Sequence, residues 1–130
     1  MFAEIQWRSI IKAESIGELD DSLDAIAREV SPEFPQAVEV TRANGDCLMI
    51  VLGAKGGSVL SFIAKSGDPP YFVSHGDPTA KGVFVYYVEE DHYSEALAVH
   101  IIPEAQAREA VREFVLLSDG WPTNVIWTEV

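Results

Sequence analysis

The chain has 130 residues, 48% of them hydrophobic and 10% aromatic, which is enough for one domain to bury a core without disulfides or a structural metal. Nine basic and 21 acidic residues give a formal net charge of −12, which disfavours direct binding to nucleic acid or to an anionic membrane. Cys47 is the single cysteine, so an intramolecular disulfide and a four-cysteine zinc site are both excluded.

These features predict a single domain over residues 1–130 that is soluble and cytoplasmic. Glu4, Gln6 and Arg8 interrupt the region where a signal peptide would be apolar. No apolar run reaches the roughly 18 residues of a membrane helix. The charge favours a basic partner, although an acidic composition can also serve solubility alone.

The first third of the chain predicts a strand followed by a helix. The aromatic and β-branched content of residues 2–12 favours a strand. Ser15 and Glu18 have capping-box spacing and precede apolar residues at helical intervals, which predicts a helix over 16–30. Its acidic residues either complement the helix dipole or serve binding. They are Glu18, Asp20, Asp21 and Asp24.

A meander is predicted next. Residues 37–42 and 47–52 flank the hairpin signal Asn44-Gly45. Gly53, Gly56 and Gly57 then predict a plain turn, because the run lacks the spacing of a phosphate loop. Residues 58–65 follow as a third strand.

The second half predicts two more strands, a helix and a last strand. The strands cover 71–74 and 82–88, and the polar residues 89–96 predict a loop. A helix should run from Pro103 to Ser118, with Gly120 as terminator and 123–130 as the closing strand. The expected fold is α+β, an antiparallel sheet of about five to seven strands packed by two main α-helices.

Catalytic and metal-binding patterns are missing from the sequence. His75, His92 and His100 lack the close spacing of a metal site. Ser74, His75 and Asp77 are sequence neighbours, whereas a catalytic triad assembles from separated positions. We therefore expect no enzyme activity, metal or cofactor, and the alternative is a small hydrolase that uses His75 or His92.

Three consecutive carboxylates and a tyrosine at 89–93 suggest a protein-binding surface. Carboxylates attract a basic partner, and tyrosines supply rigid contact area. An acidic loop that only protects an edge strand has the same composition. The predicted contact residues are Asp68, Tyr71, His75, Asp77, Tyr86, Glu89, Glu90, Asp91 and Tyr93.

The C-terminal third resembles a known family. A helix with Ala110, Val111 and Phe114 precedes the turn Asp119-Gly120-Trp121-Pro122 and a terminal strand ending Trp127-Thr128-Glu129. This order is similar to the ending of immunity protein family one of bacterial polymorphic toxin systems. The glycine-rich turn before Val59 also resembles the central hairpin of that family.

The resemblance implies a cytoplasmic antitoxin that binds a cognate toxin domain and blocks its active site. Many toxins paired with this family are nucleic-acid deaminases, so the partner should have a basic active-site cleft that an acidic inhibitor can occupy. Trp127 and Glu129 match the closing motif as fold-defining residues. An acidic adaptor for another basic protein is the remaining alternative.

Overall fold

The protein is an antiparallel sheet with two helices on one face. The computed structural model describes residues 2–55 and 57–130. In these ranges the strands are β1 (Ala3–Trp7), β2 (Ser9–Ala13), β3 (Gln36–Arg42), β4 (Cys47–Leu52), β5 (Leu60–Ile63), β6 (Phe72–His75), β7 (Val83–Val88), β8 (His92–Leu97) and β9 (Ile126–Glu129). The helices are α1 (Ile16–Glu29) and α2 (Glu104–Leu116), with a short 3-10 helix at Ala98–His100.

Seven of the nine strands of the described chain form one path in the order β2-β1-β3-β4-β5-β6-β9. The hairpin formed by β7 and β8 joins it through one parallel pairing, between Gln36 of β3 and Tyr87 of β7. The predicted α+β class is confirmed. The strand number exceeds the expected five to seven because two strands were not recognised as separate elements.

The main core lies between the sheet and the helices. Ser15 caps α1 by accepting a hydrogen bond from the Glu18 N–H at 3.2 Å, as the capping-box spacing predicts. Alternate residues of β1, β3, β4 and β5 face the buried sides of both helices. The helical residues of this core are Leu19, Leu23, Ile26, Ala107, Ala110, Val111, Phe114 and Val115.

A second, smaller core lies on the opposite face of the sheet, under the hairpin. Val51, Val59 and Val73 are its buried residues, and Phe84 and Tyr86 of β7 pack against them. Gly76 holds the base of the hairpin close, because its N–H donates to the Val99 carbonyl at 2.7 Å. A Cβ at Gly76 would overlap the Ile101 carbonyl oxygen, so this approach requires glycine.

The prediction of one strand over 2–12 is wrong. The chain reverses at Arg8, whose φ is +49°, and β1 and β2 pair as a tight hairpin with Trp7 opposite Ser9. Arginine is not a usual turn residue, so no local signal marks this reversal.

The prediction of a loop over 89–96 is also wrong, together with the placement of His92 in it. Only residues 89–91 form the turn, and His92–Leu97 is strand β8 paired along its length with β7. The segment is polar because β8 pairs with a strand on one side only and shows its outer face to solvent, so it needs few apolar residues.

The remaining predicted elements are confirmed with small shifts of their ends. The β3–β4 hairpin turns at Gly45, whose φ is +97°. β5 is shorter than predicted because Ser58 forms an isolated bridge with Ile102 instead. Pro103 precedes the first turn of α2 as its N-cap. The predicted turn at Gly53, Gly56 and Gly57 includes Gly56, which lies outside the described residues.

The closing motif holds the C-terminus against the core. The Trp127 Nε1–H donates to the Pro122 carbonyl at 3.0 Å, and the half-buried Trp127 ring packs on the main core. Trp121 packs against Phe72, with ring centres 4.8 Å apart. The motif therefore stabilises the fold, as the resemblance implies for Trp127.

Neither helix in the described ranges has the length and apolar character needed to cross a membrane.

Candidate functional site

One exposed apolar surface of the sheet is the outer face of the β7–β8 hairpin. Cross-strand pairing places Val83 opposite Leu97, and Tyr87 opposite Tyr93, all pointing away from the smaller core. Val83, Leu97 and Tyr93 are 53%, 57% and 54% exposed. Phe34 extends this face, because its ring centre lies 5.2 Å from that of Tyr87. We call Phe34, Val83, Val85, Tyr87, Tyr93, Glu95 and Leu97 the outer face.

Tyr93 is held in place on the outer face. Its hydroxyl donates to Glu95 Oε2 at 2.6 Å, and its ring meets that of Tyr87 edge-on at 5.9 Å. The hydrogen bond to Glu95 is the main reason that the pKa of Tyr93 is raised. A pre-positioned tyrosine loses little conformational entropy when a partner packs on it.

The tip of the hairpin consists of Glu89, Glu90 and Asp91. Two contacts fix it to the sheet. Arg8 forms an ion pair with Glu90, and the Gln36 side-chain N–H donates to the Glu90 carbonyl at 3.4 Å. Gln36 is itself buried and accepts a hydrogen bond from Trp7 Nε1 at 3.1 Å. The tip therefore presents three carboxylates from a positioned backbone.

The backbone of the tip is strained. Among residues 2–55 and 57–130, three non-glycine residues have positive φ, namely Arg8 at +49°, Glu89 at +51° and Glu90 at +73°. This conformation costs a non-glycine residue about 1–2 kcal/mol. All three residues line the same groove, and strain of this kind concentrates at functional sites.

Replacing Glu89 with glycine should raise the free energy of unfolding by up to about 1 kcal/mol, because glycine adopts positive φ without strain. Urea unfolding measures the change. Asp91→Gly is the matched control, since it removes the same charge from a residue outside the positive-φ set. Equal effects of the two substitutions would show that strain at Glu89 is not the cause.

A groove of about 380 Å³ separates the tip from the open part of the sheet. Its floor contains Ala37 and Met49, which lie beside Glu39 on the face opposite the helices. Arg8 stacks on Trp7 at one end, with its guanidinium carbon 4.2 Å from the ring centre. We call this the tip groove, and its lining is Gln6, Trp7, Arg8, Ala37, Glu39, Met49, Val88, Glu89 and Glu90.

The nine predicted contact residues fall in three places. Tyr93 lies on the outer face, Glu89, Glu90 and Asp91 form the tip, and Tyr86 is half-buried beneath the hairpin, where burial raises its pKa. Asp68 and Tyr71 lie in the turn between β5 and β6. His75 and Asp77 lie at the other end of β6, near the hairpin base. Of the nine, only Tyr93 and the three tip residues lie together on the solvent-exposed part of the hairpin.

Sequence reasoning missed the residues that complete this surface. Arg8, Gln36, Glu39 and Met49 come from β3, β4 and the turn after β1, and only the fold brings them to the tip. Phe34, which lies between α1 and β3, also joins the outer face. No local pattern marks these residues.

Ser74, His75 and Asp77 have separate partners. The buried Ser74 hydroxyl donates to the His100 carbonyl at 2.7 Å, while the His75 ring lies 3.3 Å from the Thr128 hydroxyl. Asp77 accepts from the Thr79 side chain and backbone, which lowers the pKa of Asp77. Each of the three therefore serves a local contact.

Cys47 is a half-buried thiol on β4. Burial raises its pKa to about 11, and the nearby Glu39 carboxylate contributes. The thiol therefore stays protonated at neutral pH. Within the described part of the chain, no group of three or more His, Cys, Asp or Glu side chains is placed to hold a metal ion.

The acidic face of α1 is largely satisfied within the chain. Arg112 forms an ion pair with Asp20 at 3.0 Å, and Arg108 forms one with Asp24 at 2.8 Å. The hydrogen bond from Arg108 lowers the pKa of Asp24. Glu18 accepts from the Glu14 N–H at the start of the helix. These carboxylates join α1 to α2 and to its own cap, so the tip is the acidic surface less engaged in the fold.

Comparison with known proteins agrees with the resemblance of the closing motif. A search among curated proteins returns no match. The family described as immunity protein Imm1 matches residues 10–129, which include both helices and strands β3 to β9. The chain therefore belongs to the Imm1 family of immunity proteins.

Proposed function

We propose that this immunity protein neutralises a nucleic-acid deaminase toxin by placing the β7–β8 hairpin over the toxin's basic active-site cleft. The observation that carries the proposal is the combination, on one hairpin, of a three-carboxylate tip and an exposed aromatic outer face. Membership of the family supports an antitoxin role. The choice of toxin class and of surface is our inference.

Charge supports a basic, nucleic-acid-handling partner. A cleft that binds a phosphate backbone must present Lys and Arg side chains. The tip offers three carboxylates to such a cleft, on a chain whose net charge of −12 adds a long-range attraction. The inhibitor then acts as a decoy for the substrate, with no direct contact between this chain and nucleic acid or membrane.

The outer face supports a stable complex beyond electrostatic attraction. Burial of its aromatic and aliphatic groups removes apolar area from water, which favours association. Tyr and Phe side chains are enriched at interface centres, where water is excluded. The tip therefore steers encounter, and the outer face slows dissociation.

The proposed site of action is the cytoplasm of the cell that makes the toxin. The single cysteine suits a reducing compartment, and a nucleic-acid deaminase meets its substrate there.

A deamination assay tests the proposal. The toxin domain encoded by the adjacent open reading frame is incubated with single-stranded DNA and with RNA, and an equimolar amount of this chain is added. We expect deamination without the chain and near-complete inhibition with it. A toxin that binds the chain but deaminates neither substrate would retain the antitoxin role and remove the deaminase assignment.

A further inference from the structure

The tip groove has more space than its lining residues fill and more negative charge than they neutralise. It is open at one side, has a mostly apolar floor, and has a volume of about 380 Å³. This is near the lower end for pockets that bury a small ligand, and it exceeds the space needed by one side chain.

The charges around the groove are unbalanced. Three glutamates and one arginine line it, and Arg8 is already paired with Glu90 and, at 3.7 Å, with Glu29 of α1. Among the described residues, the side chains of Glu39 and Glu89 have no ion pair or hydrogen bond. The groove therefore has two carboxylates available to a cationic group.

The apolar floor of the groove indicates which kind of cationic side chain fits it best. Met49 and Ala37 offer apolar surface beside the Glu39 carboxylate, which suits a long aliphatic stem that ends in a charge. A guanidinium can satisfy two carboxylates through its fork of N–H groups and packs flat on apolar surface, while an ammonium is more strongly hydrated. Arg8 shows this chemistry in the same groove, because it stacks on Trp7 while pairing with Glu90.

We propose that the tip groove is a specificity pocket that receives one arginine side chain of the toxin, with the Glu39 and Glu89 carboxylates pairing its guanidinium over the floor formed by Ala37 and Met49. The inference rests on the proposed function and deepens it. The tip as a whole provides attraction to any basic cleft, whereas this pocket recognises one toxin residue. Charge complementarity at the rim and the apolar floor together identify the occupant.

Isosteric substitutions test the pocket with the toxin domain. Glu39→Gln and Glu89→Gln keep side-chain size and remove charge, and each should weaken toxin binding by about tenfold or more, mainly through faster dissociation. Glu4→Gln is the matched control, since Glu4 lies on neighbouring β1 but does not line the groove. Dissociation rates of Glu39→Gln and Glu89→Gln equal to that of the control would overturn the proposal.

Alanine scanning of the toxin's arginines identifies the occupant. One arginine should show a coupling energy with Glu39 in a double-mutant cycle, while the others should be additive. Additive behaviour of every toxin arginine with both Glu39 and Glu89 would overturn the proposal.

A titration without toxin separates failure of the pocket from failure of the proposed function. The probe is N-acetyl-arginine methylamide, and the reporter is the Met49 methyl signal of methionine-labelled protein, in which Met1 is the other methionine. The probe should shift the Met49 signal at lower concentration than its norleucine analogue, and Glu39→Gln should remove the difference. Equal shifts by both probes would exclude an arginine pocket, whether or not the chain binds the toxin.

Discussion

Replacing Arg42 with alanine should lower the free energy of unfolding by about 3–5 kcal/mol, because it removes one partner of a buried ion pair. Arg42 is 1% exposed and donates to Asp46 Oδ2 at 2.6 Å and to the Phe114 carbonyl at 3.2 Å. Its guanidinium carbon also lies 4.3 Å from the centre of the Phe114 ring. Alanine would leave a cavity and would weaken the link between the β3–β4 turn and α2.

Urea unfolding of Arg42→Ala measures this effect, and Arg112→Ala is the control. Arg112 also pairs with an aspartate, Asp20, but its side chain is 40% exposed, so its loss should cost less than about 1 kcal/mol. Similar destabilisation by both substitutions would contradict the assignment of Arg42 as a buried structural charge.

The pH dependence of stability provides a second readout of the same network. Burial acts to raise the pKa of Asp46, but hydrogen bonds from Arg42, the Lys65 N–H and Asn44 outweigh it and lower the pKa below its ordinary value. Because the folded pKa is depressed, the contribution is complete above the unfolded value of about 3.9 and is lost as the pH falls through the folded pKa. Wild-type protein should therefore lose more stability on acidification than Arg42→Ala.

Reversing the charge of Glu89 and Asp91 to lysine should weaken toxin binding by on the order of a hundredfold at low salt, through slower association and, because Glu89 lines the tip groove, through faster dissociation. The double substitution changes the tip from a three-carboxylate surface to a net positive one and leaves the Arg8–Glu90 ion pair in place. Association of the variant should also lose most of its salt dependence, since attraction between exposed charges is what salt screens.

Stopped-flow association kinetics at several salt concentrations measure this effect. Asp21→Lys with Glu109→Lys is the matched control, because it changes the net charge equally on exposed residues of the two helices. Equal slowing by both double variants would indicate a general charge effect and would remove the tip from the interface. Slowing by the control alone would move the interface to the helical face.

Local signals in the sequence predicted the elements that depend on neighbouring residues. Asn44-Gly45 identified the β3–β4 hairpin, Ser15 and Glu18 identified the start of α1, and apolar spacing identified α2. The α+β class followed from their order. The split at Arg8 and strand β8 were missed because a strained arginine turn and a solvent-exposed polar strand carry no signal in turn or hydrophobicity patterns.

For the same reason, the sequence predicted only part of the candidate site. The carboxylates at 89–91 and Tyr93 are contiguous and were identified from composition. Glu39 and Met49 reach the groove through pairing of β3 with β4, and Arg42 reaches Phe114 across 72 positions of sequence. Contacts at such separations depend on topology, which residue patterns do not specify.

The central claim is that this Imm1 protein is an antitoxin that acts through the hairpin. Co-expression with the toxic domain of the adjacent open reading frame tests this claim most directly. Bacteria producing the toxin domain alone should die, and those also producing the wild-type chain should survive and yield a stable complex on purification. The Glu89→Lys, Asp91→Lys variant should protect less well than the Asp21→Lys, Glu109→Lys control at equal expression. If cells that contain soluble wild-type chain die and no complex is recovered, the antitoxin role for that toxin is contradicted. Equal protection by the two variants would contradict the role of the hairpin.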